Sequence, residues 1–281
     1  MSFSILNNIP ALNAQNNLSV TQNNLQNTLL QLSSGSRINS GADDAAGLAI
    51  ANGLQANITA LNQSANNAND GVGALQVADG ALSQVTTLLN RAVTLATESS
   101  TGTVSNSQRS ALDAEFTQIK NEIDSIGSAT TFNGTSVFTA STTSIFLSDG
   151  VGTTQIGVTV GTISASSIAN ATGSTTAVNL SGDDLTSAAN AQTALTDING
   201  AIANVAGTRG EIGATVNRLQ ASVNVINTQV QNLTAAEDQI TAANIPQQVS
   251  NLSQFTILEQ TGFAALAQAN SVQQNVLTLL R

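Results

Sequence analysis

The chain has no cysteine, no histidine, no tryptophan and no tyrosine among its 281 residues, and Lys120 is its single lysine. Without cysteine there is no disulfide, no thiolate nucleophile and no thiolate metal ligand. Without histidine, the side chain that most often acts as general base or metal ligand near neutral pH is missing too. The acid–base groups that remain are Asp, Glu and Lys120, so the composition points away from an enzyme, and no cofactor-binding or metal motif is present. Charge is also scarce: 9% of residues are charged, and the net charge is -10 with seven basic residues. Nucleic acid requires a basic face to replace phosphate counterions, and a membrane surface requires one for basic attraction; neither is available. No run of about 18 apolar residues occurs, so no membrane span is expected. The opening MSFSILNNIPALNAQNN has neither the basic nor the continuous apolar region of a cleavable secretory signal. Export of such a chain would need another route.

What is present is 41% hydrophobic residues, too many for general disorder. The polar surface must therefore be Asn, Gln, Ser and Thr. Neighbouring copies can cover such a surface without stripping water from many ions, which favours a polymer.

Residues 1–127 and 186–281 are helix-patterned, and 128–185 are rich in Ser, Thr and Gly. Leu18, Leu25, Leu29 and Leu32 form one stripe of a helix that stops near Ser33–Gly35. Leu54, Ile58, Leu61, Ala65, Ala68, Val72 and Leu75 step by four and three; Asp79 interrupts, and Leu82, Leu89, Val93 and Ala96 keep the phase. A helix over 44–100 would be roughly 85 Å long, which suits a coiled-coil rod. After a break at 99–107, Leu112, Phe116, Ile119, Ile123 and Ile126 make a shorter seam. From Leu195 to Ile240 threes and fours alternate without a slip, apolar except at Arg209 and Glu237. One such helix cannot offset its ordering cost alone, so it needs partners along its length, and the 44–127 seams are the obvious ones. The two chain ends then lie side by side. A last helix begins at Ile245-Pro246, with Val249, Leu252, Phe255, Leu258, Leu266, Leu277 and Leu280 supplying apolar surface.

Within 128–185, Ile145-Phe146-Leu147, Asp149-Gly150-Val151-Gly152 and Gln155 to Val160 read as strand, turn, strand, and Asn133-Gly134 as a second turn. This predicts a small β-hairpin region and not an independent domain. Residues 1–36 carry no charge, and 239–281 carry only Glu259 and Arg281. Such ends are expected to be disordered alone and helical when packed. The candidate subunit-interface residues are Leu18, Leu25, Leu29, Leu32, Arg37, Leu252, Phe255, Leu258, Leu266, Leu277 and Leu280, with Arg37 placed to meet an acidic residue of a neighbouring copy. Asp43 and Asp44 read as a helix cap; no third ligand lies nearby for a metal. Arg209 and Glu237 sit on core phase, either snorkelling at a seam edge or making a buried contact that sets register.

Several long blocks resemble bacterial flagellins. LSSGSRINSGADDAAGLAI (32–50), TTFNG (130–134), VNRLQASVNVINTQVQNLTAAEDQI (216–240) and VSNLSQFTILEQTGFAALAQANSVQQNVLTLLR (249–281) are similar to that family's signature segments, in order. The resemblance covers roughly 1–140 and 190–281. It implies a mainly α fold: a long helical coiled-coil rod made by the N- and C-terminal segments, with a small β-hairpin region. It implies an inner terminal-helix domain (1–43 and 242–281) lining the filament channel, a helical rod domain (44–127 and 186–241), and an outward-facing hairpin segment of the rod (128–185). The central region is too short for the family's further outer domains. The implied function is a structural subunit of the extracellular bacterial flagellar filament for motility. The alternative is another axial protein, such as a hook–filament junction component. Implied partners are further copies of the chain, cap and hook-junction proteins, a secretion chaperone and the type III export apparatus. The flagellin-sensing Toll-like receptor is a further implied partner through Arg91, Leu95 and Glu115, although Ala92, Val93 and Thr94 depart from the family's basic and acidic pattern.

Overall fold

The computed structural model describes residues 8–147, 154–168 and 177–279, without the side chains of 276–279. Leu280, Arg281, the Leu277 side chain and the expected Asp149–Gly152 turn lie outside the described residues. Five helices and three two-stranded antiparallel pairs follow one another among them: α1 (Ile9–Ser34), α2 (Ala45–Ser100), α3 (Asn106–Ala129), β1 (Thr131–Phe132), β2 (Thr135–Ser136), β3 (Thr143–Phe146), β4 (Gln155–Val158), β5 (Ile163–Ser164), β6 (Ser167–Ile168), α4 (Ala188–Thr241) and α5 (Ile245–Leu279). The fold is mainly α, as the sequence predicts.

Local chemistry accounts for the boundaries. Asn8 Oδ1 accepts the Ala11 N–H at 3.0 Å, and Pro10 stands in the first turn of α1, where no backbone donor is needed. Gly35 ends that helix with φ 72°, a left-handed cap that a side chain would strain. Asp44 Oδ1 accepts the Gly47 N–H at 2.8 Å and caps α2. Ser105 and Gln108 form a capping box at the start of α3. The end of α2 is closed by a buried cation: Arg109 Nε donates to the Ser99 carbonyl (2.9 Å) and Nη2 to that of Thr101 (2.8 Å). Between β1 and β2, Asn133 (φ 50°) and Gly134 (φ 77°) make the tight hairpin turn that Asn-Gly favours. The β5–β6 pair was not legible in the sequence; its strands are two residues long, too short for an alternating pattern.

The chain divides into two compact units, residues 57–231 and residues 1–56 with 232–281, and the boundaries fall inside α2 and α4. The larger unit holds the main core. Leu75, Leu82, Leu89 and Leu95 of α2 join Phe116 and Ile123 of α3 and Ile198, Val205 and Leu219 of α4, all at most 2% exposed. Two of the places where the apolar runs break, Asp79 and Arg209, meet each other. Asp79 of α2 and Arg209 of α4 form a two-point ion pair, Nε to Oδ1 at 2.7 Å and Nη2 to Oδ2 at 3.4 Å. The Arg209 and Asp79 side chains are 37% and 41% exposed, so the pair sits at the seam edge and makes a specific cross-helix contact there. The Asp79 hydrogen bond, with its charge, raises the Arg209 pKa.

Extended segments are tied to α3 through their main chain. Asp124 Oδ1 accepts from Ala165 N (2.7 Å), Lys120 Nζ donates to the Asp183 carbonyl (2.7 Å), and Asp113 Oδ1 accepts from Leu185 N (2.8 Å). Ser99 Oγ donates to the Leu185 carbonyl at 2.6 Å. The approach is so close that a Cβ on Gly127 would overlap the Ile163 carbonyl. Asp183 Oδ2 is buried there without a hydrogen-bond partner. Burial pushes the Asp183 pKa up, and the Asp197 charge adds to that, while Lys120 opposes it. A carboxyl whose folded pKa exceeds its unfolded value destabilises the fold when ionised, and the penalty fades as pH falls through the raised pKa. Asp183→Asn is therefore expected to raise the melting temperature at pH 7, with the gain vanishing below the ordinary Asp value of 3.8. Melting curves from pH 7 to pH 3 check this; an equal gain at both ends contradicts it.

Candidate assembly surface

In the smaller unit, the first and last helices of the chain pair along a regular seam. Ala11, Ala14, Leu18, Thr21, Leu25, Thr28 and Leu32 alternate three and four residues along α1 and are buried or half-buried. Gln248, Leu252, Phe255, Glu259, Gly262, Leu266 and Ala269 do the same along α5. This is the heptad spacing that keeps one face turned to a partner helix. Small residues bring the helices close: a Cβ on Gly262 would stand 3.2 Å from Leu18 Cδ1. Asn8 Nδ2 donates to the Ala269 carbonyl (3.2 Å), and Gln22 Nε2 to Glu259 Oε1 (3.5 Å).

The other end of this unit is fastened by backbone. Arg37 N donates to the Thr241 carbonyl (2.6 Å) and Ala243 N to that of Gly35 (2.9 Å), around a bridge between Ser36 and Ala242. Arg37 Nη2 donates to the Ile240 carbonyl at 2.7 Å. The Gln55 amide, with its nitrogen toward Glu237, donates to both carboxylate oxygens (2.9 and 3.3 Å). Glu237 is thus a half-buried seam residue satisfied by an amide.

The pairing leaves much apolar surface uncovered. On α1, Ile9, Leu12, Val20, Leu29 and Leu30 are exposed, the last at 60%. On α5, Ile245, Val249, Ile257, Leu258, Phe263 and Val272 are exposed, with Ile257 at 60%. Ile50 joins them, and the only large hydrophobic side chains exposed elsewhere among the described residues are Val77, Phe146 and Val225. Apolar side chains concentrated in this way on one unit mark an interaction surface. Covering them gains about 25 cal/mol per Å². The opposing cost is small, because α1 bears no charge and Glu259 is the one charged residue among the described residues of α5.

The sequence-derived residues divide between two roles. Leu18, Leu25, Leu32, Leu252, Phe255 and Leu266 lie in the seam between α1 and α5 of one chain; Leu29 and Leu258 face outward. Ile9, Leu12, Val20, Leu30, Ile257 and Phe263 were missed. Those on α1 fall off the 18–25–32 phase and those on α5 off the 252–259–266 phase, and a search for a second apolar phase would have found them. Asp43 Oδ2 accepts from Asn39 N (3.0 Å), Ser40 N (2.8 Å) and Ser40 Oγ (3.1 Å), and these bonds, the backbone ones foremost, lower its pKa. Both carboxylates of the Asp43–Asp44 pair are thus occupied by protein donors. Among the described residues no group of three or more acidic side chains could hold a metal ion.

The three receptor candidates do not form one surface. Arg91 and Glu115 join in an exposed two-point ion pair, Nε to Oε1 at 2.7 Å and Nη2 to Oε2 at 3.0 Å. The mutual hydrogen bond raises the arginine pKa and lowers the glutamate pKa. Leu95 is a correction: it is 0% exposed in the core of the larger unit, because its position on α2 carries the seam and not the outer face. A partner could reach it only by opening that core.

The fold and its uncovered faces define a class: a structural helical chain whose head and tail pair and present an apolar, nearly charge-free surface for association. The model of the bacterial flagellin N-terminal helical region matches residues 5–143, and that of the C-terminal helical region matches 195–280. The chain belongs to the bacterial flagellin family. It is 36% identical to a flagellin of Halalkalibacterium halodurans over 279 residues, covering 99% of both chains. It is 48% identical to a flagellin of Salmonella muenchen over 123 residues, which are 44% of this chain and 24% of that longer one. A structure from Vibrio parahaemolyticus assigned as a flagellar hook-associated protein superimposes with a TM-score of 0.57 at 17% identity, covering 71% of this chain and all of that one. That likeness shows the fold alone. The chain is a short flagellin, a subunit of the bacterial flagellar filament, and no comparison favours a hook-junction role. No described helix is long and apolar enough to cross a membrane.

Proposed function

We propose that this chain builds the extracellular filament by burying the outward faces of α1 and α5 between copies, and that it does no catalysis. The observation that carries this reading is the concentration of exposed apolar side chains on a helix pair almost without charge. The terminal segments 1–43 and 242–281 then form the inner domain lining the channel. Residues 44–127 and 186–241 form the rod outside it, with 128–185 facing outward. Export proceeds unfolded through the type III apparatus, with a chaperone holding the C-terminal helix, and addition occurs beneath a cap with the hook-junction proteins at the base. Any contact with the flagellin-sensing Toll-like receptor involves Arg91 and Glu115 and not Leu95.

The test is a chain lacking 242–281, which removes α5 and exposes the α1 seam. It is expected to stay monomeric in sedimentation and to show no filaments by electron microscopy, while the full chain grows micrometre filaments alone. Normal filaments from the truncated chain would remove the assembly role from these helices.

A further inference from the structure

Seven basic residues serve the whole chain, and nearly all of those described are engaged within it. Arg91 and Arg209 stand in ion pairs. Arg109, Lys120 and Arg37 donate to main-chain carbonyls. Arg218 on α4 is exposed, and among the described cations its side chain alone makes no hydrogen bond and no ion pair. It borders a groove of about 290 Å³ within the larger unit, between Gly157 and Thr159 on one side and Glu211 and Thr215 of α4 on the other. The same unit carries exposed carboxylates that also lack a partner: Asp70, Glu122 and Glu211.

We propose that Arg218 and its groove receive a carboxylate from the larger unit of a second copy of this chain, as the electrostatic contact between neighbouring subunits. The inference rests on the filament reading. Each copy brings a net charge of -10, so packed copies repel unless cations are placed between them. Arg218 is the described cation of the larger unit still free to serve, and it faces a surplus of carboxylates on an identical neighbour. Its planar fork can bond both oxygens of a carboxylate. Water excluded at the contact makes the pair stronger than at an open surface.

Full-length wild type, Arg218→Lys and Arg218→Gln are compared by sedimentation to obtain the critical concentration for polymerisation, at low and high sodium chloride. Arg218→Gln is expected to raise it roughly three- to tenfold at low salt. Arg218→Lys raises it less, and high salt narrows the gap by screening. The monomer melting temperature stays nearly unchanged, since the side chain is exposed and has no hydrogen bond or ion pair to lose. A critical concentration equal to wild type at every salt overturns the proposal. So does an increase that ignores salt or comes with a lower monomer melting temperature, because the residue would then act through the fold. Wild type that never polymerises instead overturns the filament reading itself.

Discussion

Ile257→Glu and Phe263→Glu, each made alone, are expected to abolish polymerisation at concentrations where the wild type is fully assembled, with the monomer fold unchanged. Ile257 is 60% and Phe263 51% exposed in the single chain, so a glutamate at either place stays hydrated there. In the polymer proposed above the same position is covered. A carboxylate forced out of water without a partner costs several kcal/mol after relaxation, on top of the lost apolar burial. About 1.4 kcal/mol is a factor of ten, so the critical concentration should rise at least ~100-fold. Sedimentation of assembled protein measures the first half of the claim, and circular dichroism with thermal melting of the monomer the second. Filaments at wild-type concentrations from either variant would show that these faces are not the ones buried. A seam position behaves differently: glutamate at Leu18, 7% exposed against Gly262, should disturb the helix pair already in the monomer.

Phe116→Ala should destabilise the larger unit by about 3–5 kcal/mol, the usual loss for an aromatic ring removed from a packed core. The ring is 0% exposed and packs in the core cluster shared by α2, α3 and α4. Its face also carries Lys120 Nζ, 4.8 Å from the centroid, and that ammonium holds the Asp183 carbonyl. Removing the ring therefore leaves a cavity and loosens the tie on the segment before α4. Urea unfolding gives the magnitude, and Phe146→Ala is the control. Phe146 is 44% exposed on β3 and should cost well under half as much. Equal losses for the two would mean that the core lies elsewhere.

How much could be read beforehand differs from element to element. The α4 seam was legible throughout: every position of the Leu195–Ile240 alternation is buried or half-buried, because a helix facing one partner surface must repeat at its own period. Asp79 and Arg209 were each visible as breaks in an apolar run, yet nothing in a linear pattern says that two breaks 130 residues apart meet. The terminal helices were legible as helices, but their leucines were all assigned to contacts between copies. The structure divides them between a seam inside the chain and a surface outside it. Leu95 shows the same limit: its surroundings on α2 matched a surface motif, and its rotational phase put it in the core.

What the amino-acid order determined by itself was local and periodic: helices with their caps, the Asn133-Gly134 turn and the apolar phase of the long segments. Membership of the family was written in the same blocks. Tertiary structure alone decided which stripe is satisfied within the chain and which is left open, which ions find partners, and that Arg218 finds none. The reason is physical. Helix period and capping depend on neighbours a few residues apart, whereas burial and charge pairing depend on which distant side chains share a space, and that follows only from packing.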